Sequence, residues 1–410
     1  MKRVAFVAPY LLPTSMRFVR ALAGLEDSRL ALISCEPIES VPDDVRRALA
    51  GHWRVQNALD PGQLAAAGRG VAEQMGGLDR LLGVLEHMQV QIAEARHELG
   101  VEGLDPESAA NFRDKERMKS VFDREGVPCA RHGLAEDREQ AFAFAADTGY
   151  PLVLKPPAGA GAASTYRVDD DRALGEAIDL IRPTAGKPVL LEEFIVGEEH
   201  SFDSVFVGGR PVWHSLTRYL PAPLDALRNA WIQYCVLLPR EVDDPRYDDI
   251  REAGFRAVAA LGLRTGLSHM EWFRRPDGSI AISEAAARPP GAQITTLMSY
   301  AHDFDIYDSW GRLMVHDVFE PPQRRYAAGV AFLRGMGSGR VAEVRGLDEV
   351  SRRLGDLVVA SRIPSVGQPA ASGASAYEGE GFVVVRHPET AVVEAALAEI
   401  VTGVRVVLAE

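Results

Sequence analysis

Cysteine, lysine and net positive charge are all in short supply in this chain. Its three cysteines, Cys35, Cys129 and Cys235, lie far apart and match no metal-binding spacing. They read as small buried hydrophobes in a reducing compartment. No apolar run is long enough to span a membrane. The N-terminal apolar run, residues 4–12, is broken by Pro9, with no small-residue cleavage pattern after it. The expectation is a cytoplasmic protein without a membrane partner. A formal net charge of −13 repels phosphate backbones, which argues against a nucleic-acid polymer as partner. A small anion can still bind in a locally basic cleft. Of 45 basic residues only Lys2, Lys115, Lys119, Lys155 and Lys187 are lysine. A codon bias towards arginine explains the general shortage. Under that bias, a retained lysine is a candidate for a position that needs a compact ammonium.

What is present is ordinary globular composition, with 47% hydrophobic and 25% charged residues. A length of 410 residues is too great for one core and implies two to four units. Residues 2–9, 29–34 and 79–85 read as strands, and residues 15–25 and 88–99 as helices, which makes a doubly wound α/β unit. No Gly-x-Gly-x-x-Gly follows the first strand, so nothing supports a dinucleotide site there. Residues 105–126 read as helical, stopped by Gly126-Val127-Pro128. Pro321-Pro322 marks a linker to a last strand-rich unit closed by a helix over residues 389–402. The expected division is 1–104, 105–190, 191–320 and 321–410.

Three patterns carry chemistry. Lys155 ends a short apolar strand and is followed by a small-residue loop from Gly159 and Gly161 to Ser164 and Thr165. Such a loop lets backbone N–H groups approach a phosphate while the lysine adds a point charge. A flexible alanine-glycine hairpin is the plain alternative. It is not a Walker loop, because the lysine precedes the glycines. Second, Asp277-Gly278 sits between two alternating apolar runs, a two-residue hairpin signal. Opposed residues then have numbers summing to 277 + 278 = 555, which pairs Glu271 with Glu284 on one face. Opposed carboxylates repel unless a cation or shared proton intervenes, and a divalent metal such as magnesium resolves the conflict. His269 and Arg288 share the parity. The alternative is a solvated outer face with arginines nearby. Third, residues 191–199 read LEEFIVGEE.

In this order the elements resemble the ATP-grasp superfamily, over roughly residues 105–315. The resemblance implies ATP clamped between two lobes. Lys115 and Lys155 would be the nucleotide lysines, and the loop from Gly159 to Thr165 would close over the phosphates. Glu192, Glu193, Phe194 and Ile195 would form the interlobe hinge at the adenine, and Glu199 would hold the ribose. Glu271 and Glu284 would bridge Mg²⁺, with Mn²⁺ as a possible substitute, and Arg288 would steady the transferred phosphoryl group. Many members carry an asparagine two residues after the second glutamate; here that position is Ala286. The run from His269 to Gly291 is most similar to the branch containing bacterial L-amino-acid ligases. That branch implies an ATP-grasp fold with an N-terminal α/β domain and a C-terminal strand-rich unit. It also implies a homodimer.

The expected activity is ATP-dependent ligation of a small-molecule carboxylate to an amine through an acyl phosphate, with Arg288 and Lys155 in the chemistry. His214, Arg218, Tyr219 and Trp231 are candidates to cover a substrate side chain, with core packing as the equal alternative. Glu86, at a strand's C-terminal end, could bind an ammonium group, against the reading of a helix-capping or solvated carboxylate. His269 reads as a local hydrogen-bond partner, and Gly291 as a backbone donor to the acyl phosphate. Two other classes stay open: an ATP-dependent carboxylase working through carboxyphosphate, and a non-catalytic ATP-binding module.

Overall fold

The computed structural model describes residues 1–158, 165–221, 233–371 and 378–409. Its first unit is a parallel sheet in the order Leu49–Arg54, Ser28–Ser34, Lys2–Val7, Arg80–Leu82. Ala5 and Val7 pack with Leu64 and Ile92 of the helices Pro61–Met75 and Gln89–Leu99. Val4 and Phe6 pack with Phe18 of the helix Pro13–Ala23, so the sheet is covered on both faces as expected. The helix Pro61–Met75 was not read from the sequence, although its signals are there. Asp60 caps it by accepting from Gln63 N, Pro61 opens it, and Gly76 ends it at φ 76°.

Residues 105–126 form two helices, Pro106–Arg113 and Lys115–Arg124, rather than one. Asp114 stands between them in an extended conformation, and its carboxylate accepts from Glu116 N and Arg117 N. That N-cap restarts the helix at Lys115 and fixes where the lysine points.

A small lobe follows as an antiparallel sheet in the order His132–Ala135, Val189–Glu193, Leu152–Lys155, Tyr166–Val168. The helices Arg138–Thr148 and Asp171–Ile181 share its core. The division expected at residue 190 falls inside the strand Val189–Glu193.

The large element is an eight-stranded antiparallel sheet. Its order is Ile280–Ala286, Gly266–Arg274, Glu198–Val207, Arg210–Leu220, Tyr234–Leu238, Ala327–Leu333, Gly381–His387, Val358–Arg362. The last three strands lie beyond residue 320, so the sheet runs straight through the expected linker. Val330, Phe332 and Val384 join one core with Phe6, Phe18 and Trp310, which also ties the N-terminal unit to this sheet. The helix Asp248–Ala260 covers the opposite face, against Phe202, Met270 and Trp272.

Close approach of that helix depends on Gly254. A Cβ there would lie 2.8 Å from Met270 Cε and from Phe202 Cδ1. Gly254→Val is expected to overpack the contact and cost about 1–3 kcal/mol, read as a lower urea midpoint with an unchanged m-value.

Candidate active site

The face of the large sheet turned away from the helix Asp248–Ala260 carries two polar rows across its strands. Glu284, Glu271, Ser201 and Thr217 stand side by side in one, and Ala286, His269, Asp203 and Ser215 in the next. Ser201, Asp203, Ser215 and Thr217 are fully buried and Glu271 and Glu284 partly so, and charges held there need partners.

Glu271 does oppose Glu284, but the route differs from simple hairpin arithmetic. The turn is one residue longer than expected: Arg275 N donates to Ser279 O at 2.8 Å, and Arg274 pairs with Ile280. The register therefore sums to 554 near the turn. A bulge leaves Ser283 unpaired between Ile282 and Glu284, which restores 555 for Glu271 with Glu284 and His269 with Ala286. The bulge also turns the Ser283 carbonyl towards Lys119, whose Nζ donates to it at 3.1 Å.

The carboxylates are neutralised by residues from four other segments. Lys115 Nζ lies 2.8 Å from Glu284 Oε2. Lys155 Nζ lies 2.8 Å from Glu192 Oε2, and the fully buried Lys119 lies 3.4 Å from Glu192 Oε1. Arg288 Nη2 and Nε donate to Glu86 Oε2 at 2.6 and 3.1 Å, and Arg113 stands 3.7 Å from the other Glu86 oxygen. His269 Nδ1 bonds Asp203 Oδ1 at 2.7 Å, while its Nε2 lies 3.9 Å from Glu271 Oε1. Ser201 Oγ donates to Asp203 Oδ2 at 3.1 Å, so the buried Asp203 orients the ring that borders the carboxylate pair.

These contacts split the two glutamates. Burial and then the neighbouring Glu284 charge push the Glu271 carboxyl up. Burial acts the same way on Glu284, but the Lys115 and Lys155 ammoniums outweigh it and hold Glu284 low. A cavity of about 10 Å³ lies among Glu86, Lys115, His269, Glu271, Glu284 and Arg288, room for a single ion or water. Two opposed carboxylates around such a space are a donor set that suits a hard divalent cation.

The remaining sequence candidates fall in three places. Glu193 bonds Arg275 on the hairpin, Phe194 lies under the Arg167 guanidinium at 4.2 Å, and Ile195 is buried with Ala130 and Ala281. These three, with Lys155 and Glu192, line one side of the joint between lobes. Glu199 stands opposite Phe273, two residues from Ser201 on the site face. Tyr219 is also on that face, buried and stacked beside Tyr234. His214 and Arg218 have the opposite parity. His214 stacks on Phe202 at 5.7 Å, and Arg218 pairs with Glu394 of the helix Thr390–Gly403, so neither reaches the carboxylate pair. Gly159, Gly161, Ser164 and Trp231 lie outside the described residues; Thr165 immediately precedes the strand Tyr166–Val168. Lys115 N donates to Pro157 O at 2.9 Å, which ties the first lysine to the base of the loop after Lys155.

Sequence reading missed Arg17, Lys119, Arg113 and Asp203. Only Lys119 left a signal, as one of the five lysines. A pocket of about 260 Å³ adjoins the ion-sized cavity through Glu86 and Arg288; Arg17, Gly291, Thr296 and Tyr307 also line it. Arg17 Nη1 donates to Thr296 Oγ1 at 2.6 Å and to the Tyr307 hydroxyl at 3.1 Å. No carboxylate lies within ion-pair distance of Arg17 among the described residues.

Residues 148–297 match the family described as an ATP-grasp domain. The chain carries an ATP-grasp domain. Lys155, Glu192, Glu271, Glu284, Arg288 and Gly291 lie inside the match. Lys115 and Lys119 precede it, and Arg17 and Glu86 come from the N-terminal unit. Among curated relatives is the L-arginine-specific L-amino acid ligase of Bacillus subtilis, 24% identical over 244 residues, or 58% of this chain and 57% of that enzyme. Another is the carbamoyl phosphate synthase large chain of Methanothermobacter thermautotrophicus, 25% identical over 60% of this chain and 22% of that protein. The chain thus spans little more than half the length of the first and under a quarter of the second. The crystal structure of an L-amino acid ligase from Bacillus licheniformis matches with a TM-score of 0.79 at 18% identity, over 100% of this chain and 99% of that one. An N5-carboxyaminoimidazole ribonucleotide synthetase from Thermotoga maritima gives 0.70 at 16%, over 100% of both chains. At those identities the likeness establishes the fold.

The raised Glu271 carboxyl gives a pH dependence with a definite sign. A cation needs both carboxylates ionised, and a proton on Glu271 competes with it. Mg²⁺ affinity, followed by calorimetry with a non-hydrolysable ATP analogue present, is expected to weaken as pH falls from 8 towards 6. Affinity that stays flat across that range would contradict a raised Glu271.

Proposed function

We propose that this chain is an ATP-dependent carboxylate–amine ligase acting on amino-acid-like substrates, releasing ADP and phosphate. The observation that carries the reading is the opposed Glu271–Glu284 pair, with Lys115 on one carboxylate and Arg288 in the adjoining pocket. Bound Mg²⁺ would supply Lewis acidity to the phosphate oxygens, held by Glu271 and Glu284. Lys155 and Lys115 would face the nucleotide phosphates, and the Glu192–Ile195 strand end the adenine. Arg288, aimed by Glu86, would hold the acyl phosphate formed when a substrate carboxylate attacks the γ-phosphate. The amine then attacks the acyl carbon and phosphate leaves, giving an amide. The loop from Gly159 to Thr165 would exclude water from the acyl phosphate. His269, fixed by Asp203 on Nδ1 with its Nε2 3.9 Å from Glu271 Oε1, would orient Glu271.

The 260 Å³ pocket suits a substrate of amino-acid size, and both Arg288 and Arg17 line it. Arg17 is positioned to receive a substrate carboxylate. Replacing it by glutamine is expected to raise the KM of one substrate by about 10-fold to 100-fold with kcat largely retained, the size of one charged hydrogen bond.

Likeness to carboxyaminoimidazole ribonucleotide synthetases favours keeping a second reading, in which bicarbonate is the activated carboxylate. ADP release against single amino acids and amino-acid pairs, with and without bicarbonate, separates the two. Pair-dependent turnover abolished by Glu284→Gln and Lys155→Ala is the expected result. Turnover that requires bicarbonate would replace the peptide-type reading. ATP binding without turnover in any combination would reduce the chain to a nucleotide-binding module.

A further inference from the structure

Cys129 lies between the helix Lys115–Arg124 and the strand His132–Ala135, His132 opens that strand three residues later, and the helix end brings Asp123 against both. Cys129 Sγ lies 3.7 Å from Asp123 Oδ1, and His132 Nε2 lies 3.6 Å from Asp123 Oδ2. One ligand atom from each residue lies within 4.8 Å of the others. Ligands about 2.0–2.3 Å from a tetrahedral ion are separated by about 3.3–3.6 Å, so the two contacts to Asp123 are already near ligand spacing and the 4.8 Å limit leaves a contraction of about 1 Å at most to close the triad. A second observation is independent of that spacing. His132 Nδ1 lies 3.2 Å from the Ala130 carbonyl, which can only accept, so that carbonyl can hold an Nδ1–H while an ion displaces any proton from Nε2 on the Asp123 side. A backbone carbonyl on one ring nitrogen is how metal-binding histidines are commonly oriented.

We infer that Asp123, Cys129 and His132 form a site for a zinc-class divalent cation, separate from the Glu271–Glu284 pair. The sulfur and imidazole donors select a borderline-soft ion, whereas two carboxylates suit magnesium. Asp123 is 64% exposed and His132 11%, which gives an entry path and leaves the fourth position to water. Binding replaces the Cys129 S–H bond by an S–Zn bond and releases one proton to solvent. Burial pushes that thiol up to about 11, so affinity falls steeply on acidification.

The site's position gives it a consequence. Cys129 bridges to Ile282, whose N–H donates to Pro128 O at 2.8 Å, on the strand that carries Glu284. His132 pairs with Glu192 in the small lobe, and Asp123 ends the helix that carries Lys115 and Lys119. One ion there would tie the three elements that set the lysines and Glu284 relative to each other.

Cobalt titration of the full chain after chelator treatment tests this directly, with Cys129→Ser, His132→Gln and Glu284→Gln alongside. Wild type and Glu284→Gln are expected to bind one cobalt per chain with a thiolate charge-transfer band that one equivalent of zinc removes. Cys129→Ser should lose the band, and His132→Gln should bind at least tenfold more weakly, both with unchanged circular dichroism. No thiolate band in wild type, or a band that survives both substitutions, would overturn the site. Zinc should also raise Tm in wild type and not in Cys129→Ser; an equal rise in both would count against it.

Discussion

Two carboxylates facing each other across a sheet cost free energy, and the surrounding structure is arranged around offsetting that repulsion. Glu271 and Glu284 are held opposite by backbone register, so neither can turn away without losing its row. Lys115 relieves one of them, and the Arg288–Glu86 pair brings a cation and the N-terminal unit to the edge of the same cavity. Lys119 and Lys155 converge on Glu192 from a helix and a neighbouring strand. Each partner comes from a different part of the chain. The site therefore assembles only when the N-terminal sheet, both helices before residue 125, the small lobe and the large sheet are docked. The shared core of Phe6, Phe18, Trp310 and Phe332 is the apolar counterpart of that requirement.

Much of this was legible in the sequence, for reasons that can be named. The Glu271–Glu284 pairing survived a wrong turn length because a longer turn and a bulge at Ser283 shift the register in opposite directions. Asp277-Gly278 located the hairpin; it could not reveal the bulge, whose Ser283 carbonyl meets Lys119 in another element. Lysine scarcity was the more reliable guide, since Lys115 pairs with Glu284 and Lys119 and Lys155 pair with Glu192. It works because a compact ammonium can sit between two carboxylate-bearing elements where a guanidinium fork would not fit.

What was not legible depended on strand parity and on chain-distant contacts. His214, Arg218 and Tyr219 lie on one strand, yet alternation sends Tyr219 to the site face and the other two to the helix side. Composition around them gives no parity without a partner strand. Glu86 was read at a strand's end, but the strand stops at Leu82 and Glu86 opens a 3-10 turn; its engagement by Arg288 spans about half the chain and left no local trace. Cysteine spacing was read only against other cysteines, which hid the proximity of Cys129 to His132. The last unit was read as separate because Pro321-Pro322 interrupts the pattern. Yet a sheet edge left open at Tyr234–Leu238 would expose a ladder of backbone groups, and Ala327–Leu333 closes it.

Ala286 bears on how many ions the site can hold. It stands opposite His269, and the ring's Nδ1 is already engaged by Asp203, so this pair brings no carboxylate or amide oxygen to the cavity. Glu86 and Glu192 are each engaged by two cations. Among the described residues around the cavity, the carboxylates left for a hard ion are Glu271 and Glu284, one of which Lys115 already contacts. One bridging ion meets that donor set. A second would draw on Glu284 and the nucleotide's own phosphates, and its affinity would follow the nucleotide rather than the protein.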